Sequence, residues 1–195
     1  MALPNPRPPL RIVDGPTAEA ALVRAAVEGD GSASEQLYLT CAPDLGRWVA
    51  RVVLGSADAQ DIVQDTFVVA FTQLKKLKRP EAFRGWLRTI ALTHIRRRFR
   101  TQRLLRRLGF ATAEPFELES ILSEDAPPEV ITEVRQVAAL LRQLPADEAL
   151  ALVLRRVEGY RLEEIAEELK LSLATVKRRL AAAESHFQAL QEVQS

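Results

Sequence analysis

The sequence is poor in the residues that give small proteins their chemistry. Its one cysteine, Cys41, rules out a disulfide within the chain, and the two scattered histidines, His94 and His186, cannot complete a zinc site with it at any usual ligand spacing. No apolar run approaches the roughly 20 residues needed to span a bilayer, so direct insertion into a membrane is not expected. The opening segment carries Pro4, Pro6, Pro8, Pro9 and Pro16 and lacks the apolar stretch of a signal peptide. Residues 1–16 read as a disordered tail, and the lone thiol suits a reducing, cytoplasmic setting. There is also no glycine-rich loop to cradle a phosphate and no nucleophile paired with a base. The chain is therefore not read as an enzyme, and no metal or cofactor is implied.

Charge of one sign is missing only from particular stretches. The formal net charge is +1, which suggests nothing until it is divided along the chain. From Ala20 to Arg107 there are 16 Lys or Arg against 8 Asp or Glu. From Leu108 to Val134 there is no basic residue, but Glu114, Glu117, Glu119, Glu124, Asp125, Glu129 and Glu133 are present. A basic segment is thus divided from a near-neutral one by an acidic stretch.

What is abundant is helical periodicity, and no alternating strand bounded by turn residues is evident, so the fold class is all-α. Two small helical domains are expected, 17–107 and 129–195, joined by a flexible acidic linker at 108–128 that also carries Pro115, Pro127 and Pro128. In the first domain, Val63, Phe67, Ala70, Phe71, Leu74 and Leu77 recur at three- and four-residue intervals, the stripe of a bundled helix from Ala59 to Leu77. Pro80 interrupts the chain after it. A second helix begins near Phe83, turns Trp86, Leu87, Ile90, Ala91 and Ile95 to one side, and runs into a series of arginines ending at Arg107. In the second domain, helices are expected from Glu129 to Leu144 and from Ala146 to Val157, with Gly159 as a left-handed cap.

The segment from Arg161 to Ala183 fits two short helices meeting at a sharp turn. Leu162, Ile165, Ala166 and Leu169 share one face of the first, Lys170 and Leu171 make the turn, and Ser172 caps a second helix packed through Val176 and Leu180. Lys177, Arg178, Ala181, Ala174 and Thr175 then remain on the outer side. This is where the recognition helix of a helix-turn-helix keeps the side chains that read base edges in the major groove. A pair of amphipathic helices with a solvated basic face would give the same pattern.

Three segments stand in a fixed order: DAQDIVQDTFVVAF (Asp58 to Phe71), FRGWLRTIALTHIRRRFR (Phe83 to Arg100) and LPADEALALVLRRVEGYRLEEIAEELKLSLATVKRRL (Leu144 to Leu180). Order and wording resemble the extracytoplasmic-function (ECF) group of the sigma-70 family of bacterial RNA polymerase sigma factors, which retain only the second and fourth conserved regions. The resemblance covers roughly Ala18 to Gln188. It implies a transcription initiation factor that binds core RNA polymerase and directs promoter recognition and opening.

The resemblance also assigns roles. Asp58, Gln60, Asp61, Gln64 and Asp65 would dock on a coiled coil of the polymerase, although a plain solvated helix face is the simpler account of these residues. Lys78, Arg79, Pro80, Phe83, Arg88, Thr93, Arg96, Arg97 and Arg100 would meet promoter DNA at the minus-ten element, gripping the melted non-template strand through phosphate contacts and an extruded base. Phe83 and Trp86 could equally be core residues, Trp86 the more so. Thr175, Lys177, Arg178 and Arg179 would meet duplex DNA at the minus-thirty-five element, with Lys177 and Arg178 reading bases and the other two touching phosphate.

The chain departs from the family pattern at Thr93, where many members have asparagine, and at Arg97, where a small polar residue is common. Lys170 stands where glycine often makes the turn, and Ala182, Ala183 and Glu184 replace arginines that commonly follow the recognition helix. Weaker contact with the upstream element is expected. The resemblance further implies an anti-sigma factor, often membrane-bound in relatives, that covers the polymerase- and DNA-binding faces, and the flexible tether would let such a partner clamp two otherwise independent domains together. The acidic linker reads either as a solvated spacer or as a nucleic-acid mimic inside the polymerase. The competing function is a stand-alone helix-turn-helix regulator whose first domain serves dimerisation or sensing.

Overall fold

The computed structural model describes residues 16–55, 58–110 and 127–194. The tail expected at 1–16 falls outside them except for Pro16, and so does the linker from 111 to 126. Among the described residues all regular structure is helical: α1 (Pro16–Val27), α2 (Gly31–Val52), α3 (Ala59–Gln73), α4 (Phe83–Arg107), α5 (Pro128–Leu141), α6 (Ala146–Arg156), α7 (Leu162–Leu169) and α8 (Leu173–Gln194).

Domain one is built on α2, whose Leu37, Cys41, Leu45, Trp48 and Val52 are buried at three- and four-residue spacing. Asp30 starts this helix by accepting hydrogen bonds from the backbone N–H groups of Ser32 and Ala33 at 2.8 and 3.2 Å. The stripe expected on α3 is largely buried, with Val63, Phe67 and Ala70 inside and Phe71 partly covered. The helix ends at Gln73, and the residues beyond tighten into a 3₁₀ turn, Leu74–Lys76. A second 3₁₀ turn, Pro80–Ala82, begins with the proline, whose missing N–H costs nothing at that position. It leads into α4, 25 residues long, or about 37 Å.

Phe83, at the start of α4, is fully buried. It belongs to the core and does not line an exposed pocket for a flipped base, while Trp86 is only half-buried. The relative burial of the two is the reverse of the expectation, because the preceding turn points the first residue of α4 into the bundle.

In domain two, α6 is buried along nearly its whole length from Ala146 to Leu154. Gly159 takes φ +70°, allowing the backbone N–H of Tyr160 to reach the carbonyl of Leu154 at 2.9 Å. The following helix-turn-helix matches the spacing argument closely. Ile165, Leu169, Val176 and Leu180 are buried, and Ser172 Oγ accepts from the backbone N–H of Thr175 at 3.2 Å. Lys170 occupies the turn with φ 53° and ψ 47°, the left-handed conformation that glycine adopts without strain.

The linker composition predicts domains that move independently, but the structure seats them on one another. α4 packs against both α6 and α7, α2 approaches α6, and the buried residues of both domains form one continuous cluster. The physical reason lies in the second face of α4, where a row of arginines meets acidic and hydroxyl groups of domain two.

Two stability outcomes follow from this packing. Phe83→Ala should cost about 3 to 5 kcal/mol through the cavity it leaves, read as a lower midpoint in urea unfolding. Lys170→Gly should gain roughly 0.5 to 1 kcal/mol in the same assay, since relief of left-handed strain exceeds the added flexibility of glycine.

Candidate nucleic-acid interface

The residues expected to act fall into three places, beginning with the outer face of α3. Gln60, Asp61, Gln64 and Asp65 are exposed there. Asp58 is not with them: it is 9% exposed, and its carboxylate accepts hydrogen bonds from Arg98 Nε at 2.6 Å and Gln102 Nε2 at 3.0 Å. Asp58 thus fastens the start of α3 to α4, and its contribution to the α3 surface is structural.

Gln60 and Gln64 border an open apolar groove between α2 and α3, lined by Tyr38, Leu39, Ala42, Val63, Phe67 and Val68. Leu39 and Val68 are 64% and 61% exposed, and the ring of Tyr38 meets Phe67 edge-on with centroids 4.9 Å apart. These apolar groups were not part of the sequence-based site. The available signal was phase, because Leu39 lies off the 37, 41, 45 stripe that α2 buries. An apolar trough with amide and carboxylate groups beside it suits a protein helix better than a nucleic acid, since its exposed carboxylates would repel phosphate.

The second place is the loop before α4 together with α4 itself. Lys78 and Arg79 are exposed and Pro80 is half-buried. One turn apart on α4, Thr93 and Arg97 point to solvent, with Thr93 Oγ1 donating to the carbonyl of Thr89 at 3.1 Å. This exposed set can meet DNA without rearrangement. Arg88, Arg96 and Arg100 instead face domain two. Arg88 donates to the Tyr160 hydroxyl at 3.3 Å and lies over the Trp48 ring, 5.5 Å from its centroid. Arg96 pairs with Asp147, and Arg100 stands 3.4 Å from the other oxygen of the same carboxylate.

The same seam contains Arg51 bound to Glu158 by two hydrogen bonds of 2.7 and 3.1 Å. The hydrogen bond with Glu158 raises the Arg51 pKa against the opposing effect of burial. Thr89 Oγ1 donates to Glu168 at 3.1 Å. Burial pushes the Glu168 carboxyl up, and the Thr89 hydrogen bond and the charge of Arg88 partly offset this. Tyr160 is likewise pushed up by burial and drawn down by Arg88. Away from the seam, burial and then the charge of Glu19 push the Cys41 thiol up to about 12. It remains protonated and is a poor nucleophile.

The third place is α8. Lys177 and Arg178 are exposed side by side near its start, as are Leu173 and Ala174. Thr175 is half-buried, its hydroxyl 2.8 Å from Ser172 Oγ. Arg179 does not share the outer face: its guanidinium reaches Asp147 at 2.9 Å. Glu184, at a position where relatives often carry arginine, pairs with Arg156 at 2.6 Å. The exposed start of α8 therefore presents two cations and two small or aliphatic groups. That set can address guanine edges and thymine methyl groups in a major groove.

The family model for Sigma-70 region 2 matches residues 37–104, and that for Sigma-70 region 4 matches residues 135–187. The chain is 30% identical over 171 residues to the ECF RNA polymerase sigma-E factor of Salmonella typhi, covering 83% of this chain and 88% of that protein. It is 29% identical over 184 residues to the RNA polymerase sigma factor CnrH of Cupriavidus metallidurans, covering 91% and 96%. Among solved structures, CnrH in complex with the cytosolic domain of CnrY is similar at a TM-score of 0.55 and 25% identity, covering 91% of this chain and 99% of that one. The sigma factor RpoE in complex with the anti-sigma factor NepR from Bartonella quintana shares the fold at a TM-score of 0.57 and 21% identity, covering 83% and 98%. With region 2 on the α2–α4 bundle, region 4 on the helix-turn-helix, and relatives matched over most of their length, the chain belongs to the ECF group of the sigma-70 family and is a transcription initiation factor, an RNA polymerase sigma factor.

Proposed function

We propose that this sigma factor docks on core RNA polymerase through the exposed face of α3 and the apolar groove beside it. Asp61 and Asp65 supply charge at the contact, Gln60 and Gln64 supply hydrogen bonds, and Leu39 and Val68 supply apolar area. The observation that carries this reading is the juxtaposition itself, since two large aliphatic side chains exposed beside a polar helix face are an unfinished interface in a lone chain.

Promoter contact then divides by domain. Lys78, Arg79, Thr93 and Arg97 are available to the melted non-template strand at the minus-ten element. Arg88, Arg96 and Arg100 join them once domain two moves away. Lys177 and Arg178 read the minus-thirty-five duplex, each good pairing to guanine being worth about 1 to 3 kcal/mol of discrimination. The capped start of α8, held by Ser172 and Thr175, fixes the angle at which they enter the groove.

An anti-sigma factor is a further partner in this reading, supported by the solved relatives, which hold CnrY and the anti-sigma factor NepR. No helix among the described residues is long and apolar enough to cross a membrane, and the work of a sigma factor belongs in the cytoplasm with polymerase and DNA. The chemistry of nucleotide transfer belongs to the polymerase. A stand-alone regulator would leave the region 2 match at residues 37–104 without a purpose.

Run-off transcription by bacterial core RNA polymerase on a promoter library tests the reading. Specific transcripts should appear with the wild-type chain and fall at least tenfold with the Asp61→Arg, Gln64→Ala double variant, while Lys177→Ala should lose upstream sequence preference yet keep core binding. If the chain neither binds core nor changes its products, the docking assignment fails.

A further inference from the structure

Asp147 is the point where the two DNA-binding faces meet. It is the second residue of α6, with 11% of its side chain exposed. Its two carboxylate oxygens serve three guanidinium groups: one takes Arg96, and the other takes Arg179 at 2.9 Å and Arg100 at 3.4 Å. Arg96 and Arg100 come from α4 and Arg179 from the recognition helix, so one carboxylate joins two elements that are distant in sequence.

We propose that Asp147 is an intramolecular latch, an anion standing in for DNA phosphate, which holds the two domains closed and makes closure and promoter binding mutually exclusive. The proposal rests on the reading of α4 and α8 as promoter-binding elements.

Three properties of the junction support it. First, the site is matched to an anion. The carboxylate sits in the first turn of an 11-residue helix, where the helix dipole favours negative charge. Three cations on one carboxylate also leave the cluster with a surplus of positive charge. Such a cluster is held together only while its anion is present, because the arginines repel one another across a partly shielded gap.

Second, the latch lies within a longer seam of the same chemistry. Moving along α4, Arg88 meets Tyr160, Thr89 meets Glu168, Arg96 and Arg100 meet Asp147, and Arg106 meets the carbonyl of Arg142. Beside the Arg51–Glu158 pair of the same seam, Asp147 takes two arginines of α4 at once, so much of the charge–charge part of the closure centres on it. Third, ion pairs and hydroxyl contacts lie beside the apolar packing that joins the two domains, the mixed character of an interface that opens and closes.

Opening frees Arg96 and Arg100 from the carboxylate, while Arg179 keeps its bond to Asp147 within domain two, and a DNA backbone, which carries one charge per 3.4 Å of each strand, offers the freed arginines several phosphates. Affinity for DNA is then reduced in the free chain by the fraction that is open. Any partner that binds only the open form, as core polymerase would in spreading the domains over a promoter, shifts the population in the same direction.

The test uses the full-length chain, wild type and Asp147→Asn, with small-angle scattering and binding to mixed-sequence DNA at low salt. A compact chain of this length has a radius of gyration of about 16 Å. The variant should exceed the wild type by several Å and bind DNA on the order of tenfold more tightly, the factor set by the lost closed population. Asparagine nearly preserves the shape of aspartate, and an unchanged helical spectrum shows that domain two still folds. Arg100→Gln, at a side chain 62% exposed, removes one arm without touching either core and should give an intermediate expansion.

Equal dimensions for wild type and both variants would overturn the latch. Expansion without tighter DNA binding would overturn the competition between Asp147 and phosphate. Neither result depends on transcription. Failure of the wild type to support specific initiation with core polymerase would instead strike the promoter-binding reading, leaving the scattering comparison to decide the closure.

Discussion

One helix with two demands on it organises this molecule. α4 must bury Phe83, Leu87, Ala91 and Ile95 to complete the first domain, and it carries on its remaining surface the arginines that a nucleic-acid-binding protein needs. In a chain of two small domains those arginines are also the best available partners for acidic groups elsewhere. Asp147, Glu158 and Glu168 of domain two are placed where they meet the seam. Whatever binds α4 from outside therefore competes with the protein's own carboxylates.

That competition divides the cationic residues into two classes. Lys78, Arg79, Arg97, Lys177 and Arg178 face solvent and are available in the closed form. Arg88, Arg96, Arg100 and Arg179 are engaged within the chain. The first class can supply initial, long-range attraction to DNA, which depends on exposed charge and weakens with salt. Arg88 and Arg96 can add contacts only after the domains separate, and Arg179 only by leaving Asp147 within its own domain. A graded interaction of this kind lets the free chain scan weakly while reserving its full basic surface for the assembled initiation complex.

The side proposed to face the polymerase obeys a different rule. The α2–α3 groove retains Leu39 and Val68 in water, because each is out of phase with the stripe that its own helix, α2 or α3, buries. Exposed aliphatic groups beside Gln60 and Gln64 make one surface that is indifferent to the seam. Docking on core and closure of the domains can therefore be separate events, the first using apolar area and the second using charge.

The helical class, the order of the elements and the helix-turn-helix were determined by the sequence alone. They rest on local rules: three- and four-residue spacing of apolar groups, a serine able to cap α8, a glycine at 159, and a turn that accepts Lys170 at positive φ. The exposed positions of Lys177 and Arg178 were legible for the same reason, because the buried Val176 and Leu180 set the rotation of the helix. Tertiary structure decided what spacing cannot. Phe83 points into the core because the preceding 3₁₀ turn aims it there, Asp58 is withdrawn from the docking face by Arg98 and Gln102, and Arg179 turns from DNA toward Asp147. Each of these depends on a partner between 32 and 44 residues away or on the path of the chain into a helix. Helix periodicity fixes which side of a helix a residue occupies, whereas the identity of the group waiting on that side is settled only when two distant helices meet.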